Sequence, residues 1–286
     1  MTRRRRSLSF LCVLAVVGAA LVGVRAAATE ALGDLFRVGV SARALGMGGA
    51  FTALAEDEAG VLYNPAKLAG HRGLGLSSLY ASQFGGVTQG SVIVAGPYVG
   101  GGIVFLDSGL IDDGEDGFRY ASRAALFGVG VPVGPAAMGV GWRFLSVATP
   151  FTGSGWALDA AVALDIEFLH VGLVYEAVVS APMAYDGGAR EEWDSGLRFG
   201  VATSLSPAEG VVWTASFDGT GLLGPAPGIA AGVEAWVGGV GARVGYDGAG
   251  MTFGLSARFV GLEVDWAYAA RDDLGDSHRI TLALRF

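Results

Sequence analysis

From Leu262 to Phe286 apolar and polar residues alternate almost without a break. Leu262, Val264, Trp266 and Tyr268 fall on one register, with Glu263, Asp265 and Ala267 between them. After the acidic stretch around Asp272, Asp273 and Asp276 the pattern resumes in Ile280, Leu282, Leu284 and Phe286, interleaved by Arg279, Thr281, Ala283 and Arg285. Neighbouring residues of a strand point to opposite faces, so each piece reads as a ribbon with one greasy and one ionic side. A soluble sandwich would turn the charges to water and the greasy side to a core. A membrane barrel does the reverse, with lipid outside and the charges in the lumen.

Periodicity alone does not choose, but the bulk properties lean one way. The 286 residues are 52% hydrophobic and 16% charged, with 48 Gly and a mean hydropathy of +0.49. That is greasy for a soluble domain, yet beyond the first residues no uncharged apolar run is long enough for a membrane helix. Many short alternating segments rich in Gly favour an all-β chain, and the length fits one barrel or sandwich.

Residues 1–28 read as a secretory signal peptide. Arg3–Arg6 form a basic start, Leu8–Val24 an apolar run, and Ala26–Ala28 a small-residue cleavage site. Its removal takes away five arginines and the single cysteine, Cys12, and leaves a net charge of −13. Such acidity argues against nucleic acid or anionic headgroups as general partners. An exported chain without disulfides needs a large hydrogen-bonded scaffold or a membrane for stability.

Residues 29–72 differ from the rest of the chain. Small residues crowd Gly39–Ala55, with Gly46, Gly48 and Gly49 allowing close backbone approach, and acidic Glu56-Asp57-Glu58 comes next. Then Tyr63-Asn64-Pro65-Ala66 predicts a local turn. Short helical pieces are expected around Ala50–Ala59 and Pro65–Ala69. The segment has too little apolar surface to stand alone, so it is expected to fold inside something else, as a plug.

Residues 73–286 hold fourteen candidate strands, at 73–82, 90–96, 101–107, 118–131, 137–148, 156–165, 169–180, 193–205, 211–218, 229–237, 240–246, 251–259, 262–270 and 278–286. Tight connections alternate with longer ones, the habit of transmembrane antiparallel barrels. Arg143, Asp159, Asp165, Glu176, Asp194, Arg198, Glu234, Arg243 and Arg258 stand opposite the greasy register. An arginine facing lipid at mid-depth costs about 2–4 kcal/mol, so this segregation suits a lipid-facing wall. Strand 118–131 is less clean, because Arg119 and Arg123 share a face with Phe127 and Val129. An open sheet edge in lipid leaves unpaired amides, so first and last strands are expected to meet. Fourteen strands leave a lumen that side chains alone do not fill. Arg143, Asp159, Arg198, Arg243, Arg258, Glu263 and Asp265 are expected to line it and hold the plug.

The run Ser41–Ala55 with Tyr63–Ala66 resembles the N-terminal signature of the FadL/TodX-like outer-membrane proteins, most of all their PorV/PorQ branch. Asp265–Tyr268 and Leu274–Phe286 resemble the end of the same branch. The resemblance implies a fourteen-stranded barrel with a luminal N-terminal hatch carrying Gly46, Gly48, Gly49, Asn64, Pro65 and Ala66. It implies an outer-membrane location with both termini periplasmic, and Ile280, Leu282, Leu284 and Phe286 as a C-terminal assembly signal. The resemblance also implies two roles. A PorV/PorQ-like barrel serves as an accessory in protein secretion, with secreted proteins or machinery components as partners. A FadL-like barrel is a channel for long-chain fatty acids or other hydrophobic solutes. The acidic run Asp112, Asp113, Glu115 and Asp116 does not look like an apolar capture funnel, which favours the secretion-associated role.

Enzymatic signals are thin. His71, His170 and His278 are scattered, with no HExxH spacing and no G-x-S-x-G elbow. The acidic runs lack EF-hand spacing, and glycine patterns such as Gly239–Gly245 lie in strand context. The expectation is a non-enzymatic barrel in membrane lipid, with no cofactor, no metal and no nucleic-acid partner.

Overall fold

The computed structural model describes residues 34–37, 39–83, 86–111, 117–148, 152–270 and 276–286. The signal segment 1–28, the acidic run 112–116 and Asp272 and Asp273 lie outside them.

Alternation becomes fourteen wall strands and one short extra strand. They are β1 (Gly75–Gln83), β2 (Val87–Gly96), β3 (Val99–Ile111), β4 (Phe118–Val133), β5 (Ala136–Ala148), β6 (Thr152–Ile166) and β7 (Leu169–Tyr185). After the two-residue β8 (Arg190–Glu191) come β9 (Gly196–Ala208), β10 (Val211–Leu222), β11 (Gly228–Val237), β12 (Val240–Tyr246), β13 (Met251–Arg258), β14 (Leu262–Ala269) and β15 (Ser277–Arg285). Each wall strand pairs antiparallel with its neighbours in sequence, β9 following β7. β1 pairs with β15 from Gly75↔Arg285 to Gln83↔Ser277, which closes the sheet and leaves no open edge. The protein is an all-β, closed, fourteen-stranded antiparallel barrel.

The faces are inverted relative to a soluble barrel. Val140, Trp213, Phe253, Leu255, Ile280 and Leu282 are exposed on the outside, while Asp159, Glu234, Arg243, Glu263, Asp265 and Arg279 are buried. Exposed greasy residues around a buried ionic interior suit hydrocarbon and not water as the surroundings. The strands differ in length, from 7 residues in β12 to 17 in β7, so the β3–β7 side of the wall is the taller.

Residues 39–71 lie within the ring of strands. Their short elements are a helix Ala42–Gly46, a helix Gly60–Tyr63 and a 3₁₀ turn Pro65–Gly70. The helix expected over Ala50–Ala59 is absent. Gly48 and Gly49 take φ +69° and +79° and end the first helix, and the backbone after them is held by the wall instead of by itself.

Candidate functional site

The interior is built where residues 39–71 meet the inward registers, and the contacts differ around the ring. Ser41 opens the first helix by accepting from the Ala44 amide, and the Ala42 amide donates to Thr281 Oγ1 at 2.8 Å. Arg43 donates to both Glu234 oxygens, at 2.7 and 2.9 Å, and stands 3.5 Å from Asp57. Glu234 also faces Arg243 at 3.0 Å, and Arg243 continues to Ser256 at 2.6 Å and Asp265 at 3.5 Å. On the adjacent strands Arg285 joins Glu58 at 3.0 Å to Glu263 at 2.6 Å, and Arg258 reaches Glu263 at 2.9 Å. Alternating charges thus tie the inner segment to β11–β15. Burial, with Glu58 close by, pushes the Asp57 carboxyl up to about 6 against the pull of Arg43.

Asp218 is a second anchor. Fully buried, it accepts from the Phe51 and Thr52 amides at 3.1 and 2.9 Å, satisfying two donors of a stretch with no helix of its own. Asn64 locks the next turn, its Oδ1 accepting from the Ala66 amide and its Nδ2 donating to the Thr52 carbonyl at 2.9 Å. Pro65 then begins the 3₁₀ turn with its φ preset. That turn presses on β4 and β5 so closely that a Cβ at Gly139 would stand 2.3 Å from the Ala66 nitrogen.

Toward β2–β5 and β7 the lining changes. Val61, Leu62 and Leu68 of the inner segment share one apolar cluster with Ile93, Val104, Ala124, Leu126, Leu145, Val147 and Met183. Leu35 and Phe36 join it nearer the loop end, where Phe36 packs 6.0 Å from Trp193. One ion pair borders this region, Arg143 with Asp159 at 2.7 Å, its guanidinium lying over the rings of Phe36 and Trp193.

The expected lumen charges divide. Asp159, Arg243, Glu263 and Asp265 are buried inside, and Arg143 and Arg198 are nearly so, Arg198 pairing with Glu176. Arg258 is on the inner register but at the turn end, its side chain 46% exposed and lying over Trp236. Asp194 sits exposed in the loop before β9, because that strand starts at Gly196 and not at 193. Gly46, Gly48, Asn64, Pro65 and Ala66 are buried in the inner segment, with Gly49 partly so. Ile280, Leu282, Leu284 and Phe286 point outward. Arg43, Glu58, Asp218 and Arg285 belong to the network although sequence reasoning does not single them out. Extending the greasy register Val211, Trp213, Ala215, Phe217 by one residue puts Asp218 on the inner face, a signal present in the sequence.

Near the tight turns Glu56, Asp165 and His170 come within 4.8 Å of one another, the spacing of a metal site. The Lys67 ammonium already stands among the acids, 2.6 Å from Asp165 and 3.1 Å from Glu56. A built-in cation therefore neutralises the group.

No protein-family model matches the sequence, and no curated protein matches it. Solved structures do match the fold. A monoaromatic hydrocarbon channel, CymD, is similar with a TM-score of 0.57 at 13% identity, covering 87% of this chain and 98% of that one. The Pseudomonas putida toluene transporter TodX is similar with a TM-score of 0.54 at 14% identity, covering 86% and 96%. A Pseudomonas aeruginosa FadL homologue gives 0.52 at 11% identity, covering 85% and 97%. At these identities the likeness is one of fold.

Proposed function

We propose that this chain is an outer-membrane channel for small apolar molecules, and that residues 39–71 are the hatch that closes it. The supporting observation is the apolar sector of the lumen, where Val61, Leu62 and Leu68 of the inner segment share one cluster with Ile93, Val104, Leu126, Leu145 and Val147. Barrel lumens are ordinarily polar, so a greasy strip on one side offers a hydrophobic solute a path that the ionic side does not. The fold comparisons favour the same reading, since the three similar barrels are described as hydrocarbon or toluene channels or as a FadL homologue. None of the three speaks for the PorV/PorQ branch, so a secretion-associated role rests on the sequence resemblance alone. In this reading the tight turns and both termini face the periplasm and the longer loops face outward.

The hatch must move for a solute to pass. The apolar contacts resist this weakly in the presence of a hydrophobic solute, which replaces one greasy surface by another. Cells without their own hydrocarbon or fatty-acid channel, expressing the full chain, are expected to take up labelled toluene or a labelled long-chain fatty acid faster than cells with an empty vector. Equal uptake, together with recovery of an exported protein on mild-detergent purification, would replace this reading with the secretion-associated one.

A further inference from the structure

The outward register of the barrel carries arginine at two places only among the described residues of its wall strands, Arg119 and Arg123, both on β4 and both exposed. The other wall-strand arginines, Arg143, Arg198, Arg243, Arg258, Arg279 and Arg285, stand on the inner register. The two exceptions therefore need a reason.

Depth supplies one. On β4 the outward residues Val133, Val131, Val129, Phe127 and Ala125 form an apolar column spanning nine residues, about 20 Å of membrane at the usual strand rise and tilt. Arg123 is next above it. Across the neighbouring strands Ala125 is level with Phe144 on β5, which pairs in turn with Trp156 on β6, so an aromatic rung ends the greasy band. Arg123 is level with Ser146, and Ser146 with Ser154, so the next rung is polar. An arginine at that level costs little and faces the headgroups, not the hydrocarbon. On the opposite side of the barrel the corresponding boundary holds Tyr268 and His278, with no arginine.

The local chemistry fits a phosphate. Arg119 is held by Asp107 on β3, which fixes its guanidinium over the outer face. Arg123 makes no direct hydrogen bond or ion pair with another described residue, although its charge also reaches Asp107. Among the described residues, two guanidinium groups four residues apart on one strand face share a single carboxylate, Asp107. Guanidinium forks match phosphate oxygens in pairs. We infer that Arg119 and Arg123, with Ser146 beside them, bind the phosphate headgroup of an anionic lipid at the loop-end boundary of the membrane. The overall acidity, which speaks against anionic headgroups as general partners, then explains why the site is confined to this one face.

The test is independent of solute uptake and of which way the barrel points. Full-length protein in mild detergent is mixed with phosphatidic acid or phosphatidylcholine, and native mass spectrometry counts the lipid retained. Wild type is expected to retain phosphatidic acid over phosphatidylcholine. Arg123→Gln is expected to lower phosphatidic acid retention about fivefold, the effect of one basic residue near a membrane surface. Arg119→Gln with Arg123→Gln should abolish the preference, Arg123→Lys should keep part of it, and Arg190→Gln, on β8, should leave it unchanged. Equal retention by wild type and the double variant, with both still folded by heat-dependent gel mobility, overturns the assignment. If inorganic phosphate strips the lipid where chloride of equal ionic strength does not, the site takes soluble phosphate and the lipid assignment is also overturned.

Discussion

On the β10–β15 side the inner segment bonds to Asp218, Glu234, Thr252, Thr281 and Arg285, with Arg243, Glu263 and Asp265 continuing the network; on the β2–β5 side it shares one apolar cluster with Ile93, Val104, Ala124, Leu126, Leu145 and Val147. The first interface is made of directional bonds between charged groups taken out of water, and breaking any one strands its partner. The second is made of contacts with no required geometry, replaceable by any other apolar surface. As the proposed hatch, this segment would have a fixed edge and a yielding edge. Movement should begin on the β2–β5 side and pivot on the ionic side, so the two halves should answer perturbation differently.

The largest effect is expected from Arg243→Glu. It turns the partner of Glu234 and Asp265 into a third buried acid, and losing one member of a buried ion pair typically costs about 3–5 kcal/mol. If residues 39–71 are the proposed hatch, they should unseat, with ion conductance in planar bilayers rising well above wild type. Unchanged conductance would mean that the charges do not hold the segment.

Leu145→Ala perturbs the yielding edge and should cost about 2–5 kcal/mol in thermal or denaturant unfolding. Its ion conductance should rise less than that of Arg243→Glu, because the fixed edge still holds. Comparable conductance in the two variants would erase the distinction between the halves.

Asp218→Ala leaves the Phe51 and Thr52 amides unsatisfied, at about 1–3 kcal/mol for each buried group. Faster hydrogen exchange is expected at residues 50–55 and not at 60–68, where the short helix, the 3₁₀ turn and the Asn64 side chain supply the bonds. Uniform acceleration along the whole segment would make Asp218 a general support and not a local one.

The smallest effect concerns pH. A carboxyl whose pKa is raised on folding stabilises the folded form below its ordinary value near 4 and loses that contribution as pH rises through about 6. Arg43, Glu58, Glu263 and Arg285 surround Asp57 and set the balance. Protease cleavage within residues 39–60 should therefore be slower at pH 4 than at pH 8, and Asp57→Asn should flatten the dependence. A wild-type profile with the opposite slope would show that ionised Asp57 strengthens the seat.

Much of the wall is legible in the sequence because alternation is a local signal. The strands β4 to β7 and β9 to β15 fall within a few residues of their expected places, and the interleaved charges Asp159, Arg243, Glu263 and Asp265 are buried as the register requires. Two kinds of residue escape it. Asp194 reads as a strand residue because an acidic residue beside an apolar one mimics alternation in a loop. The stretch Ala50–Ala59 reads as helical because its alanines have high helix propensity, whereas Asp218, more than 160 residues away, takes its backbone amides. The halves of the lumen are not legible either, since the greasy inward residues Val104, Leu126 and Leu145 look locally like any other core positions. Only ring closure gathers them on one side.

The decisive measurement places one acid in each half. Val147→Asp puts a carboxylate on the apolar wall, and Thr214→Asp puts one on the polar wall, both at inward, buried positions. With equal amounts of folded barrel in the outer membrane, uptake of labelled hydrocarbon should collapse in Val147→Asp and persist in Thr214→Asp. Equal losses, or a loss confined to Thr214→Asp, would contradict passage along the β2–β5 wall.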